Sequence, residues 1–310
     1  LRLARAHTGK SKHAIFVGSY HGVHDPVLVE EDVHSDPKSP SKRSKFGALG
    51  IPQFIMDNVL VLPYRDDVAF DLIRKHKDEL AVVMIEPIQS SNPRTDVGPF
   101  LQELRQVCKE CGVLFMLDEV ITGMRIGGMG GAQTFFDVTP DLATYGKIIG
   151  GGLPVGAVAG SAEIMNSFKY IFSGGTFSGN PLTMTAGVAV LEYLKNHPEV
   201  YPHMAEQADR MASEVNSFLT EENMEAQLMN AQSIFSFQFT RKAIESAWDT
   251  KQIKPDFPPN LFYAILHRNG VTIPGLHLFF TTASHTAEDI DKIIEAMKQS
   301  FLELREYGLI

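Results

Sequence analysis

The strongest constraint on the fold is the alternation of short apolar segments with amphipathic segments through the first half of the chain. Two segments, 66–80 and 98–112, place apolar residues at the i, i+3, i+4 spacing of a helix with one buried face. Around them, five runs rich in β-branched and aromatic residues have the length of buried strands: AIFVGSY (14–20), NVLVLPY (58–64), LAVVMIEP (80–87), GVLFMLDEV (112–120) and DLATYGK (141–147). Strands and helices that alternate in this way predict an α/β fold with a mainly parallel sheet covered by helices.

The last third of the chain has a different pattern. A long amphipathic segment over 199–223 precedes the strand-like run IFSFQF, a proline-rich connection, a further helix, a short strand near HLFFTT and a final amphipathic helix. We therefore predict a large domain over 1–195 and a smaller C-terminal α+β domain over 196–310. Residues 31–57 are polar and rich in Pro and Ser, and we expect them to form a long excursion beside the site.

Composition argues against several partners and locations. The net charge of −9 disfavours a nucleic-acid partner, because phosphate binding needs clustered Lys and Arg. No apolar run reaches the roughly 18 residues of a membrane helix, and no signal peptide is recognisable, so we expect a cytoplasmic protein without a membrane partner. Cys108 and Cys111 form a single CxxC late in a helical segment, which favours packing over a redox or metal site.

Polar residues follow four of the five predicted strands at the point where each strand ends. They are Tyr20 and His21 after the first strand, Glu86 after the third, Asp118 and Glu119 after the fourth, and Lys147 after the fifth. Ligands of parallel α/β sheets bind beyond the C-terminal ends of the strands. The convergence of these side chains on one edge therefore predicts a functional site there.

Asp118 and Lys147 allow two interpretations. Asp118 emerges from the apolar run VLFML, and a buried carboxylate requires a partner. In the first interpretation Lys147 forms a structural ion pair with it. In the second, burial lowers the pKa of Lys147 and leaves a neutral amine that attacks a carbonyl to form a Schiff base. Spacing alone does not separate the two.

Glycine-rich segments surround Lys147: GGMGG (127–131), GGG (150–152) and SGGTFSGNP (173–181). Glycine at this density permits close approach of the backbone to a ligand, and exposed N–H groups suit a phosphate. The segments match neither the P-loop nor the dinucleotide-binding pattern, so a nucleotide is disfavoured. A small phosphorylated cofactor that reacts with a lysine fits better.

Three long motifs carry a family resemblance: LDEVITGMR (117–125), PDLATYGKIIGGGLPVGAVAG (140–160) and GGTFSGNPLTMTAG (174–187). In this order they closely resemble the class III pyridoxal-phosphate-dependent aminotransferases of fold type I. MGGAQTFFDVTPDLATYGK, SYHG and ASHTAEDID are similar to the glutamate-1-semialdehyde 2,1-aminomutase-like subgroup. The resemblance implies a transaminase that uses pyridoxal 5'-phosphate, a small-molecule amino donor and a carbonyl acceptor.

The resemblance also implies roles for the two central residues. Lys147 would carry the cofactor as a Schiff base, the internal aldimine, and would shuttle a proton during transfer. Asp118 would pair with the pyridine nitrogen and keep it protonated, so that the ring acts as an electron sink. On this interpretation the cation that partners Asp118 belongs to the cofactor.

Four further residues take cofactor-binding roles from the resemblance. Val120 and Tyr20 would pack on opposite faces of the ring, with His21 close by. Thr176 would reach the cofactor phosphate from the neighbouring subunit, so a homodimer is expected. The alternatives are that Val120 and Tyr20 are ordinary core residues and that Thr176 caps the helix opening near Asn180. No metal is expected, because His21 and its neighbour His24 have no evident third ligand.

Two positions depart from the family pattern. Ser91 stands where many members have a Glu that forms a switch with a substrate-binding Arg, so a diacid substrate handled by that switch is not expected. Ile121 replaces a Gln that contacts the 3′-oxygen of the cofactor, and Gln89 or Ser91 is expected to substitute. These differences favour a transaminase, with glutamate-1-semialdehyde 2,1-aminomutase, which moves an amino group within one molecule in tetrapyrrole synthesis, as the alternative.

The start of the chain departs most from the family. The phosphate-binding Gly/Ser/Thr loop of the family precedes a helix whose tail resembles LRLARAHTG (1–9), and this loop is not in the sequence. We therefore expect an N-terminally truncated fragment that binds pyridoxal phosphate weakly or not at all. A catalytically inert fragment is an alternative, and a decarboxylase or epimerase would start from the same Schiff base.

Overall fold

The structure is a computed structural model that describes residues 1–31, 42–44, 49–245, 249, 253, 255, 257–273 and 278–310. The chain forms two compact units, the first comprising Leu1–Pro87 with Asp96–His197 and the second Ile88–Thr95 with Pro198–Ile310. Residues 88–95, which the sequence division placed in the large domain, are therefore compact with the C-terminal segment instead.

The amphipathic segments 66–80, 98–112 and 199–223 each contain a helix. The helices of the described residues are α1 (Arg2–Thr8), α2 (Gln53–Met56), α3 (Val68–His76), α4 (Gly98–Cys111), α5 (Ala132–Phe135), α6 (Ala162–Met165), α7 (Pro181–Asn196), α8 (Val200–Glu221), α9 (Pro259–Arg268) and α10 (Ala287–Glu306). None of these combines the length and apolar content that crossing a bilayer requires.

Eleven strands lie in the described residues. They are β1 (Lys12–Phe16), β2 (Val29–Glu31), β3 (Lys42–Ser44), β4 (Val59–Leu62), β5 (Leu80–Ile85), β6 (Leu114–Asp118), β7 (Leu142–Tyr145), β8 (Ala157–Gly160), β9 (Gln227–Ala231), β10 (Ile234–Gln238) and β11 (Phe279–Phe280). All five runs predicted as strands in the first half contain one.

The first unit is built on a six-stranded sheet in the order β4-β1-β5-β6-β7-β8. The first five strands are mutually parallel, and β8 is antiparallel to β7. Every residue of the central strand β5 is buried, as expected of a strand covered on both faces. The predicted α/β fold with a mainly parallel sheet is confirmed.

Two features of this unit were not predicted. Strand β8 is exposed along its whole length, so its sequence carries none of the apolar pattern that marks a buried strand. The polar excursion over 31–57 includes strand β3, which pairs antiparallel with β2, and helix α2. Residues 32–41 and 45–48 of that excursion lie outside the described residues.

The second unit has the α+β character expected from the sequence. Its sheet is antiparallel, in the order β11-β10-β9, and packs against helices α8, α9 and α10. Stacked and edge-on phenylalanines, among them Phe235, Phe237, Phe262 and Phe301, fill the core. Thr286 and Asp289 form a capping box that fixes the start of α10.

Helix α4 fixes the strand that carries Asp118. The helix ends at Gly112, whose φ of 61° lies in the left-handed region that favours glycine, and β6 begins two residues later. Arg105 of α4 donates to both carboxylate oxygens of Asp141, at 2.7 and 2.9 Å. Asp141 in turn accepts the backbone N–H of Phe115 at 2.8 Å. Hydrogen bonds through Asp141 therefore connect helix α4 to the start of strand β6.

Candidate active site

A cavity of about 310 Å³ lies at the C-terminal edge of the parallel sheet in the first unit. Five of the residues predicted from the sequence line it together: Tyr20, His21, Asp118, Val120 and Lys147. The volume is at the lower end of the roughly 300–1,000 Å³ found for small-molecule sites. Parallel strands bring these residues together although they are distant in sequence, because their C-terminal ends share one edge.

A larger cavity of about 690 Å³ lies at the opposite end of β6 and includes Arg105, Leu114 and Asp141 in its lining. Arg105 and Asp141 form an ion pair with each other at 2.7 Å. No residue predicted as part of the functional site lines this cavity. The smaller cavity, which holds an amine and two buried carboxylates, is therefore the better candidate for chemistry.

Asp118 ends strand β6 and is 7% exposed. Its Oδ2 accepts a hydrogen bond from Nδ1 of His21 at 2.6 Å. Its Oδ1 accepts the backbone N–H of Val120 at 3.1 Å and the hydroxyl of Thr144 at 3.3 Å. A carboxylate offers about four acceptor positions, so three described donors leave Asp118 able to accept one more.

Lys147 begins a short 3₁₀ turn, Lys147–Gly150, which is separated from the end of β7 by Gly146 alone. Among the described residues its amine forms no ion pair, and the buried carboxylate of Asp118 pairs with His21 instead. Lys147 is exposed as a whole residue, but partial desolvation of its amine beside the cavity lowers its pKa. A repulsive contribution from Arg125 adds to this shift, while Glu86 and Asp118 oppose it. This geometry argues against the structural ion pair and favours an amine that gives up its proton more readily than an ordinary lysine.

The backbone at Lys147 is also unusual. Its φ of 50° lies in the left-handed region, which residues with a Cβ adopt at a cost of roughly 1–2 kcal/mol. Glycine would fit this position without that cost, and the neighbouring sequence is rich in glycine. A lysine that persists in a strained conformation points to a need for its side chain.

The side chain of His21 is buried, with 1% exposed, and only one of its ring nitrogens has a partner among the described residues. Nδ1 donates to Asp118, whereas Nε2 is buried without a hydrogen-bond partner. A buried polar atom left in this state is unfavourable by about 1–3 kcal/mol, so a polar ligand atom that bonds to Nε2 would remove this penalty. The side chain of Tyr20, 45% exposed, lies at the mouth of the same cavity.

Three predicted residues do not line this cavity. Thr176 is exposed in a turn before α7. The cap of α7 is Asn180, whose Oδ1 accepts the N–H groups of Leu182 and Thr183 at 3.0 and 3.4 Å, so Thr176 does not cap that helix. Gln89 and Ser91 belong to the second unit, where the Gln238 side chain donates to the Ser91 carbonyl at 2.9 Å. Their contact with a cofactor stays a prediction.

Two polar residues of the cavity had no assigned role from the sequence. Glu86 was visible as one of the polar strand ends, but no motif gave it a function. Thr144 lies inside β7, where a β-branched residue is ordinary, and only its 3.3 Å bond to Asp118 shows its contribution. No periodicity or spacing would have distinguished Thr144 from a packing residue.

Comparisons with known proteins agree with this geometry. The family model for class-III aminotransferases matches residues 1–301. Relatives named glutamate-1-semialdehyde 2,1-aminomutase include that of Methanocaldococcus jannaschii, 36% identical over 97% of this chain and 70% of its own length. The protein of that name from Methanosarcina acetivorans is 37% identical over 96% of this chain and 69% of its own.

Solved structures give the same result. An omega-transaminase from Sphaerobacter thermophilus superimposes with a TM-score of 0.86 at 30% identity, covering 98% of this chain and 71% of its own. A glutamate-1-semialdehyde aminomutase from Pseudomonas aeruginosa, in complex with PMP, superimposes with a TM-score of 0.84 at 21% identity, covering 98% and 68%. At that lower identity the likeness shows the shared fold.

The strain at position 147 predicts an unusual order of stability between two variants. Without added ligand, Lys147→Gly should be more stable to urea than Lys147→Ala by about 1 kcal/mol, because only glycine adopts a positive φ freely. Both variants lack the amine, so the comparison isolates the backbone. If Lys147→Ala is the more stable of the two, the left-handed conformation is wrong.

Proposed function

Because the chain belongs to the class-III aminotransferase family, we propose that it catalyses pyridoxal-phosphate-dependent transfer of an amino group between a small-molecule amine and a carbonyl compound. Lys147 is the reacting amine of this site and Asp118 is the partner of the cofactor's ring nitrogen. The observation that best supports the assignment is that His21, rather than Lys147, pairs with the buried carboxylate. The amine therefore lines the same cavity as the carboxylate without being neutralised by it.

The residues of the cavity fit pyridoxal phosphate. Asp118 keeps one acceptor position for a protonated ring nitrogen, since its described donors occupy three. Tyr20 and Val120 supply an aromatic and a β-branched surface for a flat ring. When bound, the cofactor supplies a carbonyl that condenses with primary amines and a ring that withdraws electrons from the reacting carbon.

Four side chains of the cavity region then have defined roles. The lowered pKa of Lys147 raises the fraction of neutral amine, which can accept a proton from the substrate carbon and return it to another atom. Asp118 would hold the protonated ring nitrogen of the cofactor through its remaining acceptor position. The 2.6 Å bond from His21 and the bond from Thr144 fix the orientation of that carboxylate.

A homodimer completes the proposal. Helix α7 is apolar over much of its surface, yet only Gly187 and Leu194 are buried within the chain. Leu182 and Val188 are 70% and 55% exposed. A helix that is apolar all round is normally covered, and we infer that a second copy of the chain covers it. Thr176, in the exposed turn that leads into α7, would then be placed to contact the cofactor phosphate of the second subunit.

Glutamate-1-semialdehyde 2,1-aminomutase is the second candidate. Relatives of this name are 36 and 37% identical to the chain. Transfer of nitrogen-15 from a labelled amine to an added ketone supports the transaminase. Isomerisation of glutamate 1-semialdehyde without transfer to the ketone supports the aminomutase.

A cytoplasmic location stays a prediction from the sequence.

Covalent attachment of the cofactor tests the proposal. After incubation with a large excess of pyridoxal phosphate and reduction by borohydride, mass spectrometry should find a pyridoxyl adduct on Lys147. Lys147→Ala should lose this adduct, and Lys109→Ala, which changes a lysine of helix α4, should keep it. Equal labelling of Lys147→Ala and the wild type would show that the reacting amine is elsewhere.

The proposed dimer is tested by changing the exposed face of α7. Leu182→Glu combined with Val188→Glu should give a monomer in sedimentation velocity experiments, because burying two charges without partners is strongly unfavourable. Leu49→Glu is the control, since Leu49 is 95% exposed outside α7, and it should leave the sedimentation coefficient unchanged. A wild type that sediments as a monomer contradicts the homodimer.

A further inference from the structure

We propose that Glu86, at the end of strand β5, is a positioning residue of this site, because its carboxylate holds the backbone of the Tyr20–His21 segment and places a second negative charge in the cavity of Lys147. The inference rests on the proposed function and deepens it. Glu86 is 3% exposed, and its Oε2 accepts the backbone N–H of Tyr20 at 2.8 Å.

The sheet register places the two carboxylates side by side. Strands β5 and β6 are parallel neighbours in which Ile85 pairs with Leu117. Glu86 and Asp118 are the next residues along each strand, and neighbouring strands lie about 4.8 Å apart. Both residues line the same cavity.

Two consecutive residues of one loop bind these two carboxylates. Tyr20 uses its backbone N–H on Glu86, and His21 uses its ring Nδ1 on Asp118 at 2.6 Å. The loop between β1 and β2 is therefore attached at two adjacent points of the sheet edge. This attachment sets where the Tyr20 ring, the proposed stacking partner of the cofactor, lies over the cavity.

Two neighbouring buried carboxylates repel each other unless positive charge or hydrogen-bond donors compensate. Glu86 is the larger of the two acidic influences that raise the pKa of Lys147, against desolvation and Arg125, which lower it. In the part of the chain that the structure describes, the other titratable or charged groups that line the cavity or act on the amine are those of Asp118, Arg125, Tyr20, His21 and His24. Glu86 thus limits how far the pKa of the Lys147 amine falls.

Two substitutions separate the positional effect of Glu86 from its electrostatic effect. Glu86→Gln keeps a side-chain oxygen that can accept the Tyr20 N–H, but it removes the charge. Glu86→Ala removes both the acceptor and the charge. The matched control is Glu79→Gln, because Glu79 precedes β5, pairs with Lys12 at 2.5 Å and does not line the cavity.

The electrostatic part is tested by competitive acetylation of lysines over a pH series, in protein without added cofactor. The midpoint for labelling of Lys147, measured by mass spectrometry, should fall by on the order of one pH unit in Glu86→Gln. Glu79→Gln should leave this midpoint unchanged. An unchanged or raised midpoint in Glu86→Gln overturns the electrostatic role.

The positional part is tested by hydrogen exchange of the peptide that contains Tyr20 and His21. Exchange should be at least tenfold faster in Glu86→Ala than in the wild type and close to wild type in Glu86→Gln. Equal exchange in all three proteins overturns the anchoring role. Neither the acetylation nor the hydrogen-exchange measurement needs the cofactor. The absence of a pyridoxyl adduct on Lys147 therefore contradicts the proposed function alone. An intact adduct with an unmoved midpoint and unchanged exchange contradicts only the role of Glu86.

Discussion

The hydrogen bond from His21 to Asp118 is the interaction on which the proposed chemistry of this site depends. A carboxylate at the end of a buried strand is unstable without a partner, and the obvious partner in the sequence was Lys147. Because the His21 ring binds the Asp118 carboxylate at 2.6 Å, the lysine amine does not form a structural ion pair with it. The same cavity therefore contains a carboxylate with a remaining acceptor position and an amine of lowered pKa.

The parallel sheet makes this arrangement possible. Residues at the ends of β1, β5, β6 and β7 come from distant parts of the chain and meet at one edge, as ligand sites of α/β sheets generally do. The fold also accepts local strain there. Lys147 holds a left-handed backbone beside a glycine-rich segment, which is consistent with selection for its side chain rather than for stability.

Much of the fold was predictable, because buried parallel strands and amphipathic helices leave strong periodic signals. The exposed strand β8 leaves none, and its antiparallel pairing to β7 was missed. Lys147 and Asp118 were identified from strand ends and motifs. The partner of Asp118 was not, since His21 lies 97 residues away and its ring position is a tertiary property. The roles of Glu86 and Thr144 likewise depend on sheet register, which spacing in a sequence does not give.

Two double-mutant cycles measured by urea unfolding, without cofactor, test the central claim most directly. One cycle combines His21→Ala with Asp118→Ala, and the other combines Lys147→Ala with Asp118→Ala. The structure predicts a coupling of about 1.5–3 kcal/mol between His21 and Asp118, as for a hydrogen bond to a charged group. It predicts a smaller coupling between Lys147 and Asp118, whose charges attract each other without an ion-pair contact among the described residues. A larger coupling for Lys147 than for His21 would mean that the lysine is the structural partner of the carboxylate, and the account would be wrong.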